Sequence, residues 1–192
     1  SARRIAVVGA GPAGLSVATV LAGRGHKVTL YDAADKIGGQ LNIAKQIPSK
    51  REFEETIRYF GNMLTETGVT QRLGKKVSAA DLIAEKYDDV ILATGIVPRK
   101  LGIPGADSPK VLSYLDVLRD HKPVGKSVAI VGGGGIGYDT ALYLTDAGHE
   151  TWAKPEEFAK EWGFDLNVAT RAGLTEKSAE HRTSPRSLTM FK

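Results

Sequence analysis

Two six-residue glycine signatures constrain this 192-residue chain more than any other feature: Gly9-Ala10-Gly11-Pro12-Ala13-Gly14 and Gly132-Gly133-Gly134-Gly135-Ile136-Gly137. Each stands directly behind a short apolar, β-branched run and ahead of a helix-like stretch. One such loop arises easily by chance, because many glycine-rich turns match it. Two, each in strand–turn–helix order, point to an α/β chain with two Rossmann-like nucleotide-binding units. In each loop the first glycine permits the tight turn, the second lets the backbone approach a pyrophosphate, and the third lets helix and strand pack closely. Those roles fall to Gly9, Gly11 and Gly14 in one copy and to Gly132, Gly134 and Gly137 in the other. The helix dipole supplies only about 0.3–1 kcal/mol toward an anion, so hydrogen bonds and excluded water must supply the rest.

The first unit reads as βαβ. Residues 4–8 are apolar enough for a strand buried on both faces. Pro12 suits a helix start, residues 15–22 pack as a helix, Gly23 and Gly25 stop it, and residues 27–31 form a second strand ending at Asp32. Residues 51–67 carry Phe53, Ile57, Phe60 and Leu64 at helical spacing. A short strand near 69–73 and a further extended piece at Lys76-Val77 follow. Ser78 then opens a helix with Asp81 in its first turn. A buried strand at 89–93 closes at Thr94-Gly95. Pro98, Pro104, Pro109 and Pro123 punctuate the next stretch, which holds one helix, 114–120, capped by Ser113.

The opening pattern then recurs as a strand at 127–131, the glycine loop, a helix at 136–147, and Gly148-His149 where the first copy has Gly25-His26. The expected division is a first nucleotide-binding domain over 1–98, a connector over 99–125, and a second, incomplete one over 126–192. The second strand of that last unit has two candidates. Strict offset places it at 150–154, a run with one β-branched residue that ends at Pro155 before a helix-like stretch, 156–162. The alternative is 187–191, after a long insertion, and we favour it. Neither leaves a third strand.

Asp32 lies where its carboxylate can accept bonds from both hydroxyls of an adenosine ribose and repel a 2′-phosphate. Gly38-Gly39-Gln40 alone is an ordinary turn; beyond a ribose acid, its backbone can lie along a second phosphate or a flavin edge. Thr94-Gly95 fits a cofactor crevice, although a plain strand end explains it nearly as well. In the second unit no acid occupies the place of Asp32. Lys154 falls there on the offset reading and Lys192 on the insertion reading; a cation favours a 2′-phosphate, hence NADP(H) over NAD(H). Arg186 could assist, and solvated lysines are the plain alternative. Two nucleotides held by one chain suggest a flavin and the nicotinamide that reduces it.

The chain contains no cysteine, so a disulfide, a thiolate nucleophile and a cysteine-ligated cluster lie outside it. Its four histidines are dispersed without metal-ligand spacing, and its six tyrosines form no pattern. No catalytic constellation emerges, which leaves redox chemistry to cofactors. A net charge of +4 is scattered among 22 acidic residues, unlike a nucleic-acid-binding stripe. No apolar run reaches the roughly 20 residues of a membrane span, and Ser1-Ala2-Arg3-Arg4 enters a strand at once. A cytoplasmic location, with neither nucleic acid nor membrane as partner, is the expectation.

Five strings carry a family resemblance: residues 7–15, 37–48, 92–99, 110–118 and 131–141, among them Ile-Gly-Gly-Gln-Leu-Asn-Ile-Ala-Lys-Gln-Ile-Pro and Val-Gly-Gly-Gly-Gly-Ile-Gly-Tyr-Asp-Thr-Ala. Together they resemble the bacterial NADPH-dependent 2,4-dienoyl-CoA reductases of fatty-acid β-oxidation. That resemblance implies a two-dinucleotide-binding flavoprotein fold and a longer enzyme. Its barrel would carry FMN and the substrate, a cysteine-ligated 4Fe-4S cluster would follow, and FAD and NADPH domains would complete it. Electrons would run from NADPH through FAD, cluster and FMN to the dienoyl-CoA. FAD would be held by Gly9, Gly11, Ala13, Gly14, Asp32, Gly39, Gln40 and the Val77 backbone, and NADPH by Gly134, Gly135, Ile136 and Gly137. The barrel, the cluster cysteines and the rest of the NADPH domain are not in this sequence, so it reads as a piece whose partner is the remaining polypeptide. Two alternatives stand beside this: a module like that of trimethylamine or histamine dehydrogenase with a non-catalytic ADP site, and a non-catalytic nucleotide-binding fragment. A disulfide reductase is disfavoured, since it needs a cysteine pair.

Overall fold

Strand β1 (Arg4–Val8) occupies an interior position in a four-stranded sheet, with β2 (Lys27–Tyr31) and then β3 (Thr70–Arg72) on one side and β4 (Asp89–Leu92) on the other. All three pairings are parallel, and Val8 is in register with both Tyr31 and Leu92. The computed structural model describes residues 1–99, 101–146, 153–169, 171–175 and 183–192. It divides into two units, Ser1–Lys122 and Pro123–Lys192. The order β3-β2-β1-β4 reverses direction between β1 and β4, the kind of switch point outside which α/β sheets bind their ligands.

The continuous apolar run of β1 is buried as such a run requires, with Ile5, Ala6 and Val7 almost fully enclosed. Helix α1 (Pro12–Gly23) lays Leu15 and Ala18 into the core formed by Val7, Val28, Leu30 and Val69. The short α2 (Leu41–Ala44) and the amphipathic α3 (Phe53–Glu66) follow, and α3 buries Leu64 in that core with Phe60 packed at its margin. Helices α4 (Ala79–Ala84) and α5 (Tyr114–Leu118) both open with a reciprocal cap, as their serines suggested. The Asp81 N–H donates to Ser78 Oγ while the Ser78 N–H donates to the Asp81 carboxylate, and Ser113 and Asp116 repeat the arrangement. Lys76-Val77 joins no strand. The segment ahead of it is tied down otherwise: the Gly74 N–H donates to the Ala34 carbonyl at 2.8 Å and the Lys75 N–H to the Asp32 carbonyl at 2.9 Å.

In the second unit β5 (Ser127–Val131) leads through the glycine loop into α6 (Gly135–Thr145), then α7 (Pro155–Trp162), and β6 (Ser187–Phe191) returns parallel to β5. The later of the two candidate runs is therefore the second strand. In the earlier one Lys154 instead precedes α7 and pairs with Glu157 at 2.7 Å; residues 150–152 lie outside the described residues, as do Ala147 and Gly148-His149. The internal repeat is exact to the hydrogen bond. The Gly9 N–H donates to the Tyr31 carbonyl at 2.7 Å, and the Gly132 N–H to the Phe191 carbonyl at 2.8 Å. At the other strand end, the Lys27 N–H reaches the Arg3 carbonyl and the Ser187 N–H the Lys126 carbonyl, both at 2.8 Å.

Candidate dinucleotide-binding sites

The three glycines of the first loop are required for different physical reasons. Gly9 has φ +114°, and a side chain there would run into the Ala93 carbonyl. A Cβ on Gly14 would overlap the carbonyl oxygen of Gly9. Gly11, at φ −77° and ψ −179°, has an ordinary extended backbone and open space where a Cβ would stand. Two glycines thus let the chain close on itself, and the third keeps its outer surface bare. The first N–H of α1 to find a helical acceptor is that of Leu15, on the Gly11 carbonyl at 2.9 Å. The N–H groups of Gly11, Ala13 and Gly14 have no acceptor among the described residues, as the first turn of a helix leaves them. A bare backbone with free donors suits a pyrophosphate.

Three further segments converge on this loop. The Asp32 carboxylate accepts from the Ala10 N–H at 2.6 Å through one oxygen and from the Ala34 N–H at 2.8 Å through the other. An ionised carboxylate offers about four acceptor positions, so the brace leaves two for ribose hydroxyls. The Gly38 N–H donates to the Ala10 carbonyl at 2.8 Å. Gly39, at φ +51°, lies so close over the loop that a Cβ would come within 2.9 Å of the Gly11 Cα, and Gln40 follows exposed at the start of α2. At the end of β4 the Ala93 N–H donates to the Val8 carbonyl at 2.7 Å, which puts Ala93 and exposed Thr94 against Gly9, with exposed Gly95 next in the chain. Half-buried Val77 ends the segment held to Asp32 and Ala34. The structure therefore gathers Gly9, Gly11, Ala13, Gly14, Asp32, Gly39, Gln40, Thr94 and Gly95 at the carboxyl end of one sheet.

The second loop repeats the first with one inversion. Gly132 has φ +116°, a Cβ on Gly137 would meet the Gly132 carbonyl, and Gly134 and Gly135 face open space. Gly134, at φ −88° and ψ −178°, matches the backbone of Gly11. Tyr138 is the first residue of α6 to donate within the helix, to Gly134 at 3.1 Å. The N–H groups of Gly134, Gly135, Ile136 and Gly137 have no acceptor among the described residues. Lys192 follows Phe191 as Asp32 follows Tyr31, and its stem lies about a van der Waals contact from where a Gly133 side chain would begin. A cation thus replaces the acid at the same register position. Arg186 does not assist it. Its guanidinium donates to the Leu144 carbonyl at 2.9 Å, near the C-terminal end of α6. It precedes β6, so the whole five-residue strand, roughly 16 Å at 3.3 Å per residue, separates it from the loop.

One cluster escaped the sequence reading. Tyr31 and Tyr87, which show no pattern in the chain, share a hydrogen bond between hydroxyls at 2.9 Å. The Arg72 guanidinium donates to the Tyr31 hydroxyl at 3.0 Å and pairs with Glu85. Burial, the bond to Tyr87 and the charge of Tyr87 push the Tyr31 phenol up to about 12, against an opposing pull from Arg72. The bond from Arg72 holds the Glu85 carboxyl below its ordinary range. Nothing in the spacing of residues 31, 72, 85 and 87 signals this meeting, which depends on three separate elements converging.

Residues 3–159 match the family model described as pyridine nucleotide-disulphide oxidoreductase. The chain belongs to that family. It carries the family's Rossmann-like FAD/NAD(P)-binding fold, that of a flavoprotein oxidoreductase module, but has no cysteine for disulfide chemistry. It is similar to a metal reductase of Desulforamulus reducens, 37% identical over 76% of this chain and 22% of that protein. It is also similar to a cinnamate reductase of Clostridium sporogenes, 38% identical over 77% of this chain and 22% of that protein. Among solved structures, a 2-naphthoyl-CoA reductase in complex with 2-naphthoyl-CoA superposes with a TM-score of 0.73 at 33% identity, covering 78% of this chain and 23% of that one. The chain thus spans about a quarter of the length of the relatives it matches. Among the described residues no helix is long and apolar enough to cross a membrane.

Proposed function

We propose that this chain is the electron-input module of a longer reductase, in which a hydride passes from NADPH to FAD. The observation that carries the reading is the pair of glycine loops with the same backbone and opposite charges at one register position, Asp32 in the first and Lys192 in the second. Asp32, with Gly9, Gly11, Ala13 and Gly14, would hold the ADP half of FAD. Gly39, Gln40, Thr94 and Gly95 lie around the same opening, where the rest of that cofactor would extend, and the Val77 backbone would join them. Gly132, Gly134, Gly135, Ile136 and Gly137 would take the pyrophosphate of NADPH, with Lys192 toward its 2′-phosphate. The Gly133 N–H, which corresponds to the Ala10 N–H bound by Asp32, has no carboxylate partner among the described residues and would be available to the same anion. FAD, when bound, supplies the chemistry that accepts two electrons together and releases them singly.

The names of the relatives support a reductase, and the naphthoyl-CoA enzyme suits the acyl-CoA substrate that the resemblance to 2,4-dienoyl-CoA reductases implies. On that reading FMN, a 4Fe-4S cluster and the substrate site belong to the remainder of the polypeptide. The test is anaerobic titration of the FAD-loaded protein with NADPH. Bleaching of the flavin's visible absorbance supports the proposal. Bound FAD that NADPH leaves oxidised refutes hydride input here. Lys192→Ala should cost NADPH up to about fivefold in affinity, as a lost exposed ion pair of up to about 1 kcal/mol would, and leave NADH unchanged.

A further inference from the structure

We infer that Arg72 and Glu85 are positioning residues: they hold the Asp32 carboxylate where it can read a ribose 2′-hydroxyl. The inference rests on the reading of the first loop as an adenosine-nucleotide site. Asp32 lies just past the end of β2, and its backbone is held at two points, by the last residue of β3 and by the turn that follows it. Its N–H points to the Arg72 carbonyl at 3.4 Å and its carbonyl accepts from the Lys75 N–H at 2.9 Å. A third bond, from the Gly74 N–H to the Ala34 carbonyl, closes the same ladder.

Strand β3 is a weak support on its own. It is an edge strand of three residues, with Thr70 and Gln71 exposed, far shorter than the five or six residues typical of strands. Its last side chain anchors it. From one guanidinium, Arg72 bonds both the Glu85 carboxylate, just past α4, and the hydroxyl of Tyr31, a residue that is 1% exposed and whose hydroxyl is also fixed by Tyr87. The Tyr31 ring lies 5.6 Å below that guanidinium, and Arg4 caps the Tyr87 ring at 5.4 Å. A lone ion pair as exposed as Arg72–Glu85 would contribute little. Coupled to a buried phenol, it locks the β3 end to the core and to the α4–β4 connection. The line of support runs from Glu85 through Arg72 to the backbone of Asp32, and from the Asp32 carboxylate to Ala10. Binding sites keep their geometry through such outer supports.

The test compares ADP with 2′-deoxy-ADP by titration calorimetry on the whole chain, with excess NADP+ present to occupy the second loop. The unaltered protein should prefer ADP by about tenfold, the effect of one hydrogen bond to a charged acceptor. In Arg72→Met and Glu85→Gln that ratio should fall at least threefold toward unity, and Arg72→Lys should lie between. If both nucleotides weaken in parallel and the ratio stands, the pair is merely structural and the inference is overturned. Should Arg72→Met fail to melt cooperatively, Glu85→Gln decides on the same criterion. Absence of any preference in the unaltered protein is a separate result: it removes the ribose reading itself, and this inference with it.

Discussion

Gly14→Ala and Gly11→Ala look alike on paper, yet the structure separates them. The added methyl at position 14 would overlap the Gly9 carbonyl, which is backbone and cannot rotate away. Overpacking of that kind costs about 1–3 kcal/mol or more. At roughly 2–4 °C per kcal/mol for a chain of this size, that is a fall in Tm of up to about 12 °C. At position 11 the backbone is extended at φ −77° and nothing lies within 4 Å of the new methyl. Only the capping preference is lost, which costs less than about 1 kcal/mol, or under about 4 °C. The same methyl fills the space that a pyrophosphate needs, so ADP affinity should fall at least tenfold, about 1.4 kcal/mol. Thermal melts and calorimetric ADP titrations of both variants decide it. If Gly11→Ala melts as low as Gly14→Ala, or binds ADP like the unaltered protein, the division between a closing glycine and a bare one is wrong.

Three other outcomes are expected. Asp32→Asn keeps an acceptor for the Ala10 N–H but loses the one for the Ala34 N–H and the charge that strengthens bonds to ribose, so ADP should bind about tenfold weaker, with a fall in Tm of a few degrees. Lys122, then the Ser113 hydroxyl and N–H, hold the Asp116 carboxyl well below the usual carboxylate range. Its contribution is therefore present above its unfolded pKa near 4 and is lost as pH falls toward the lower folded value. Asp116→Asn should flatten that acid limb in pH-dependent melts. Tyr31 behaves in the opposite sense: its pKa is raised to about 12, so its contribution is full below its unfolded pKa near 10 and is lost as pH rises through 12. Tyr87→Phe should move the Tyr31 phenolate absorbance to lower pH, because it removes a bond that raises the value.

Much of the fold was legible because its signals are local. The positive φ of Gly9, the steric exclusion of Gly14 by the Gly9 carbonyl, the Ser78–Asp81 and Ser113–Asp116 caps and the periodicity of α3 all act within a few residues. The echo between the two loops was readable for the same reason, and it carried the expectation of an α/β chain with Rossmann-like units. Other features depend on partners far apart in the chain. Residues 150–154 and 187–191 differed only modestly as strands, and pairing with β5 decided between them. That pairing gave Lys192 the register position in the second unit that Asp32 has in the first, and sent Arg186 to the far end of the strand from the loop. Asp32 could be named as an acid at a strand end, but its brace on Ala10, 22 residues away, required the end of β2 to meet the first glycine loop. The Tyr31–Arg72–Glu85 support left no trace in the spacing, since it forms only when β2, β3 and the end of α4 assemble. The sequence by itself thus determined which backbone shapes were possible, because steric limits and capping are short-range. The tertiary structure decided which charges face which loop, because hydrogen-bond register between distant strands fixes where each side chain ends.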